Sequence, residues 1–178
     1  MMVIVYLVSI VLANLLVTWF GPAASIIDAF LLIALDLTAR DKLHDQWEHK
    51  HLWRNMVLLI FTGSALSAIL NVNALPIATA SFIAFLASES VDTVVYAALG
   101  KRTKMLQVNG SNVASAAVDS LIFPILAFGW PPLWGIVLGQ FVAKVLGGTV
   151  WAWVIYNPFW KRFNADVLGR LYPEGEGK

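Results

Sequence analysis

Glu89, Asp92, Asn112, Asp119, Gln140 and Lys144 are the residues of this chain whose types and spacing carry chemistry, because all six stand in stretches otherwise dominated by apolar side chains. On a helix, side chains three or four apart share a face. Glu89 and Asp92 fall on one such face with Ser81, Phe85 and Tyr96. Asn112, Ser115 and Asp119 form a second stripe. Gln140 and Lys144 form a third, which continues through Gly147, Gly148 and Trp151. A carboxylate accepts hydrogen bonds, a lysine donates them, and Asn and Gln do both, so the set can recognise the edge of a polar ligand. Glu89, Asp119 and Lys144 fall near the middle of their apolar stretches and are expected to converge at one depth. Any one of the polar residues could equally be interhelical glue, alongside the small residues Gly63, Ser64, Ser67, Gly147 and Gly148. Together, three central carboxylates against one lysine leave more negative charge than gluing needs. Some of these acids must be neutral, hydrogen-bonded or awaiting a partner.

The elements that position these residues are membrane helices. The chain has 178 residues, of which 59% are hydrophobic and 13% charged, and its mean hydropathy is +0.73. A soluble domain of this size could not bury that apolar surface, which implies an all-α integral membrane protein with a bilayer as its solvent. Stretches long enough to span lie near 2–20, 23–39, 56–72, 76–99, 110–130 and 132–157. The first lacks a basic leader and a cleavage site and reads as a retained helix. Gly21-Pro22, the 71–76 segment and Gly129-Trp130-Pro131-Pro132 are turn chemistry on one side. Lys and Arg gather in the opposite loops: Arg40, Lys42, Lys50 and Arg54; Lys101, Arg102 and Lys104; Lys161, Arg162, Arg170 and Lys178. Positive loops stay in the cytoplasm. The expectation is therefore a six-transmembrane-helix bundle over 1–160 with both termini cytoplasmic, followed by a polar tail, 161–178, in a cell's inner (cytoplasmic) membrane.

The remaining polar residues divide into smaller cases. The 40–55 loop, with Leu43, Trp47, Leu52 and Trp53 among charges, reads as a solvated interfacial segment or a short amphipathic helix on the inner leaflet. Its Glu48-His49-Lys50-His51 run resembles a metal site only weakly, and no metal is expected. Asp36 and Arg40 are read as a surface pair one turn apart. Asp28, with Ser25, either lines an outer vestibule or reaches the headgroups. Asn14 and Thr18 are read as interhelical hydrogen-bonders. Cysteine is absent, which removes disulfides, Cys-ligated zinc and iron–sulfur clusters. No phosphate-binding loop, zinc-protease motif or nucleophile elbow occurs. No cofactor and no enzymatic activity are expected.

The run Ser88-Glu89-Ser90-Val91-Asp92, then Ser111-Asn112, then Val118-Asp119-Ser120-Leu121-Ile122-Phe123, and then Gln140 through Lys144 resembles the queuosine-precursor transporter family, also called the vitamin uptake transporter family. That resemblance implies a six-span fold similar to the substrate-binding components of vitamin importers. It also implies import of a 7-deazaguanine such as 7-cyano-7-deazaguanine, a precursor for tRNA modification. Glu89, Asp92, Asn112, Asp119, Gln140 and Lys144 inherit a substrate-binding role, with Asp119 and Glu89 on the ligand's donor edge. Phe85, Tyr96, Trp151 or Trp153 would stack on the ring. Where the family tends to carry an Asp-x-x-x-Glu motif, this chain has Asp36-Leu37-Thr38-Ala39-Arg40-Asp41. The expected partners are a purine-like small molecule and the lipid bilayer, with no nucleic acid; self-association stays open. The rival readings are a binding subunit of an ATP-driven importer and an intramembrane enzyme using the carboxylates as acid and base.

Overall fold

The computed structural model describes residues 2–47, 51–99 and 104–156. Among them every regular element is helical: α1 (Met2–Phe20), α2 (Ala24–Asp28), a π-helical turn (Ala29–Ile33), α3 (Ala34–Trp47), α4 (Leu52–Leu70), a 3₁₀ turn (Val72–Ala74), α5 (Leu75–Ala98), α6 (Lys104–Phe128) and α7 (Trp134–Tyr156). Five helical segments are long and apolar enough to cross a membrane: Met2–Phe20, Leu52–Leu70, Val72–Tyr96, Gly110–Phe128 and Trp134–Ile155. The segment expected as the second span is built differently. It is a helical run from Ala24 to Trp47 with a widened π turn in its middle, and it carries Asp28, Asp36 and Arg40 where each of the five carries at most two charged residues.

The boundaries follow from local chemistry. α1 stops where Gly21 adopts φ +76° and donates its N–H to the Val17 carbonyl at 2.9 Å, a backbone shape that glycine takes without a Cβ penalty; Pro22 follows. α4 stops at Asn71, whose side chain accepts the Asn73 N–H at 3.0 Å and turns the chain into α5. α6 ends at Gly129, with φ +89°. Pro124 sits inside the last turns of α6 and removes one helical hydrogen bond, a loss that neighbouring helices in a membrane bundle accommodate.

α1 lies at the centre of the described bundle, in contact with α2, α3, α4 and α5, while α5 packs on α6, and α7 packs on α3, on the π turn and on α6. One apolar cluster joins Tyr6, Ile10, Leu43, Met56, Leu59, Ile60 and Phe85, and a second joins Val17, Ala80, Ala84 and Phe123. The opposite faces expose Ile69, Leu70, Val94, Leu138 and Trp153, as expected where lipid replaces water. α3 continues through Trp47 as one helix, so the 40–47 stretch is an extension of the second segment and not a separate surface helix; Trp47 and Leu52 pack against the first apolar cluster. Glu48, His49 and Lys50, three members of the weak metal run, lie outside the described residues.

Two of the expected small-residue contacts are real and one is not. A Cβ on Gly63 would collide with Ile10, and one on Gly147 would collide with the Phe30 backbone carbonyl and meet the Ala34 Cβ at 2.7 Å, whereas one on Gly148 would meet nothing within 4 Å. Gly147→Ala is therefore expected to lower the thermal stability of the purified protein by about 1–3 kcal/mol, as overpacking against backbone does. Gly148→Ala is expected to be neutral or slightly stabilising. Parallel melting curves in one detergent check the contrast.

Candidate functional site

The polar residues of the bundle assemble into two clusters, each organised by one buried cation. Lys144 on α7 centres the first. Its ammonium donates to Asp119 Oδ2 at 2.5 Å, Ser120 Oγ at 3.1 Å and Gln140 Oε1 at 3.2 Å. An ammonium has three N–H donors, so all three are satisfied. Gln140 continues the chain of bonds by donating from Nε2 to Ser25 Oγ at 2.8 Å, and Ser25 in turn donates to the Pro22 carbonyl. A neighbouring network ties α1 to α4 and α5: Asn14 donates to Ser67 Oγ at 3.0 Å and accepts from Ser81 at 2.5 Å. Asn14 is thus an interhelical bonder as expected. Thr18 bonds instead to the Asn14 carbonyl within its own helix.

These groups surround a small, partly open cavity lined by Ala13, Asn14, Val17, Ser25, Asp28, Ile33, Ser81, Phe85, Asp119, Phe123, Gln140 and Lys144. Its free volume at the radius of water is about 20 Å³, room for a water or two and far below the ~300–1,000 Å³ of open ligand pockets. Asp28 is 5% exposed and lines this cavity. Its Oδ2 has no hydrogen-bond partner. Of the aromatic residues proposed for stacking, Phe85 lines the cavity and Phe123 joins it, whereas Trp153 is 68% exposed on the outer face.

Arg40 on α3 centres the second cluster. The expected surface pair with Asp36 is corrected here: Arg40 is buried, and its guanidinium pairs with Asp92 at 3.1 Å, Glu89 at 3.5 Å and Asp41 at 3.9 Å. It also donates to Asn112 Oδ1 and Ser115 Oγ, both at 3.2 Å. Asn112 donates onward to Asp41 Oδ2 at 2.7 Å, and His44 bonds to Glu89. The reading of the 40–55 loop as solvated is corrected for its first turn as well, because α3 carries Arg40, Asp41 and His44 into contact with α5 and α6. Asp36 stands one turn before Arg40, buried, with no hydrogen-bond partner on either carboxylate oxygen.

The six residues singled out by type and spacing thus divide evenly. Asp119, Gln140 and Lys144 line the cavity; Glu89, Asp92 and Asn112 belong to the Arg40 cluster. Arg40, Asp41 and His44 were not among the six. The available signal was the spacing of Asp36, Arg40 and His44 at intervals of four, one face of a helix running past the end of the apolar stretch. Among the described residues searched, no group of three or more His, Asp or Glu side chains has the arrangement of a metal site.

A family model described as "Putative vitamin uptake transporter" matches residues 1–157. The chain belongs to the vitamin uptake transporter family. Neither curated proteins nor solved structures gave a match. Family membership makes this a multi-pass membrane transporter in class, and its match runs over both buried clusters and the cavity between α1, α2, α5, α6 and α7.

Removing one partner of a buried ionic cluster leaves the others uncompensated and costs about 3–5 kcal/mol. Arg40→Ala is therefore expected to destabilise by about that amount. Arg54→Ala, at an exposed position, should stay within about 0.5 kcal/mol of wild type. Thermal denaturation in detergent at constant ionic strength distinguishes the two.

Proposed function

We propose that this family member imports a queuosine precursor, a 7-deazaguanine such as 7-cyano-7-deazaguanine, across the inner membrane, with six crossings and both termini in the cytoplasm. The Ala24–Trp47 run serves as the second crossing in this reading, since the positive loops obey a single side only if that segment spans. One observation carries the proposal: a cavity within the bundle that combines the Asp119–Lys144 pair and the Gln140 amide with the rings of Phe85 and Phe123. A planar heterocycle needs apolar faces above and below and polar groups at its rim. Asp119, Gln140 and Lys144 are assigned to the rim.

Glu89, Asp92 and Asn112 act, in this reading, from the cytoplasmic side of the cavity. With Arg40, Asp41 and His44 they hold α3, α5 and α6 together, and release of the substrate inward requires that seal to open. The walls stand too close for a bicyclic base, which fits an unloaded, closed state in an alternating-access cycle.

Complementation tests the assignment. A bacterium that can use supplied precursor but lacks its own importer is expected to regain queuosine in its tRNA when this protein is expressed and precursor is given. No precursor-dependent modification, with the protein present in the membrane, overturns the substrate. Asp119→Asn and Lys144→Met are each expected to reduce uptake at least about tenfold, because either one leaves the other charge stranded on the cavity wall. The double variant Asp119→Asn/Lys144→Met removes both charges together and leaves neither stranded. Full uptake by the double variant at wild-type membrane levels would show that the pair is scaffold and not site.

A further inference from the structure

We infer that Asp28 is the carboxylate that reads the ligand's donor edge, accepting two adjacent N–H groups of a guanine-type ring while the Gln140 amide donates to the neighbouring carbonyl oxygen. This rests on the substrate reading above and names a residue that reading did not use. The argument is one of valence. Around the cavity, Asn14, Ser25, Ser81, Asp119, Gln140 and Lys144 each have a protein partner; the buried Oδ2 of Asp28 has none among the described residues. Lys144 has spent all three donors, and Asp119 is held by it at 2.5 Å. Glu89, the other carboxylate considered for the donor edge, is held by Arg40 and His44 and does not line the cavity.

A buried carboxylate with no partner is costly and is retained only where something completes it. Asp28 offers two acceptor oxygens. Gln140, bonded through Nε2 to Ser25 one turn before Asp28, keeps a second amide N–H to donate. An acceptor pair beside a donor complements a ring edge that presents NH₂, N–H and C=O in sequence. That edge belongs to 2-amino-6-oxo purines and their 7-deaza analogues, and not to adenine or hypoxanthine types. The π turn directly after Asp28, Ala29–Ile33, is a widened geometry often found at functional sites.

The purified full-length protein and its Asp28→Asn and Asp28→Glu variants test this by ligand-dependent thermal stabilisation, with 7-cyano-7-deazaguanine, 7-deazaguanine and 7-deazahypoxanthine as probes. Wild type is expected to prefer 7-deazaguanine to 7-deazahypoxanthine by about tenfold or more. Asp28→Asn should bind 7-deazaguanine about 10–100-fold more weakly, the effect of losing a bond to a charged acceptor, and should erase the preference. Without ligand the same variant should melt no lower than wild type, since it removes an unpartnered buried charge. Asp28→Glu should keep part of the preference. A lower melting temperature of ligand-free Asp28→Asn would reveal a structural partner and overturn the inference, as would an unchanged preference for the 2-amino ring. Failure of all three probes to stabilise wild type overturns the substrate reading and this assignment together; stabilisation that Asp28→Asn retains in full overturns this assignment alone.

Discussion

Charge taken out of water inside an apolar bundle is the constraint on which the rest of this structure depends. Among the described residues five carboxylates, Asp28, Asp36, Glu89, Asp92 and Asp119, are buried with two cations, Arg40 and Lys144. A stranded ion costs several kcal/mol, so each cation gathers acids and neutral bonders around itself. Arg40 draws α3 against α5 and α6; Lys144 draws α7 against α6 and, through Gln140 and Ser25, against the start of α2. α6 belongs to both arrangements, with Asn112 and Ser115 serving one and Asp119 and Ser120 the other. Helix packing alone, in a solvent as apolar as the side chains, would fix these relations weakly.

The two arrangements differ in what they leave over. The Arg40 cluster gathers three acids, an amide and a hydroxyl around one guanidinium, and Arg40 Nε, Glu89 Oε2 and Asp92 Oδ1 in it make ion pairs without a hydrogen bond. The Lys144 ammonium has all three donors bonded, and its cluster borders a small cavity and a carboxylate it does not satisfy. Asp36, buried near both, makes no hydrogen bond of ordinary geometry through either oxygen and has the Ser9 hydroxyl of α1 beside it.

Much of this was legible in the sequence, for physical reasons that also mark where legibility stopped. Hydropathy and the turn residues located five apolar helices closely, because in a membrane the apolar run and the helix are nearly the same object. The face-sharing of Asn112, Ser115 and Asp119, and of Gln140 and Lys144, followed from helical period alone. Spacing within a helix could not say which stripe meets which, so Glu89 and Asp119, expected to converge with Lys144, went to different cations. Arg40 was misjudged because the apolar run ends at Ala39, and the end of hydropathy was taken for the end of burial. α3 instead continues to Trp47, and protein replaces lipid around its last turns. The family resemblance carried by the Ser-Asn and Val-Asp-Ser motifs agrees with the match over 1–157, although those motifs lie on both clusters and do not separate them.

The bare contact of Gly147 with the Phe30 carbonyl brings two backbones together. Only the Ala34 methyl stands beside that contact, so the approach of α7 to the π turn is set by main chain and not by a long side chain. Lys144 lies three residues from that contact on one helix, and Asp28 two residues from it on the other. The spacing of the two cavity walls therefore depends on the absence of a Cβ at residue 147.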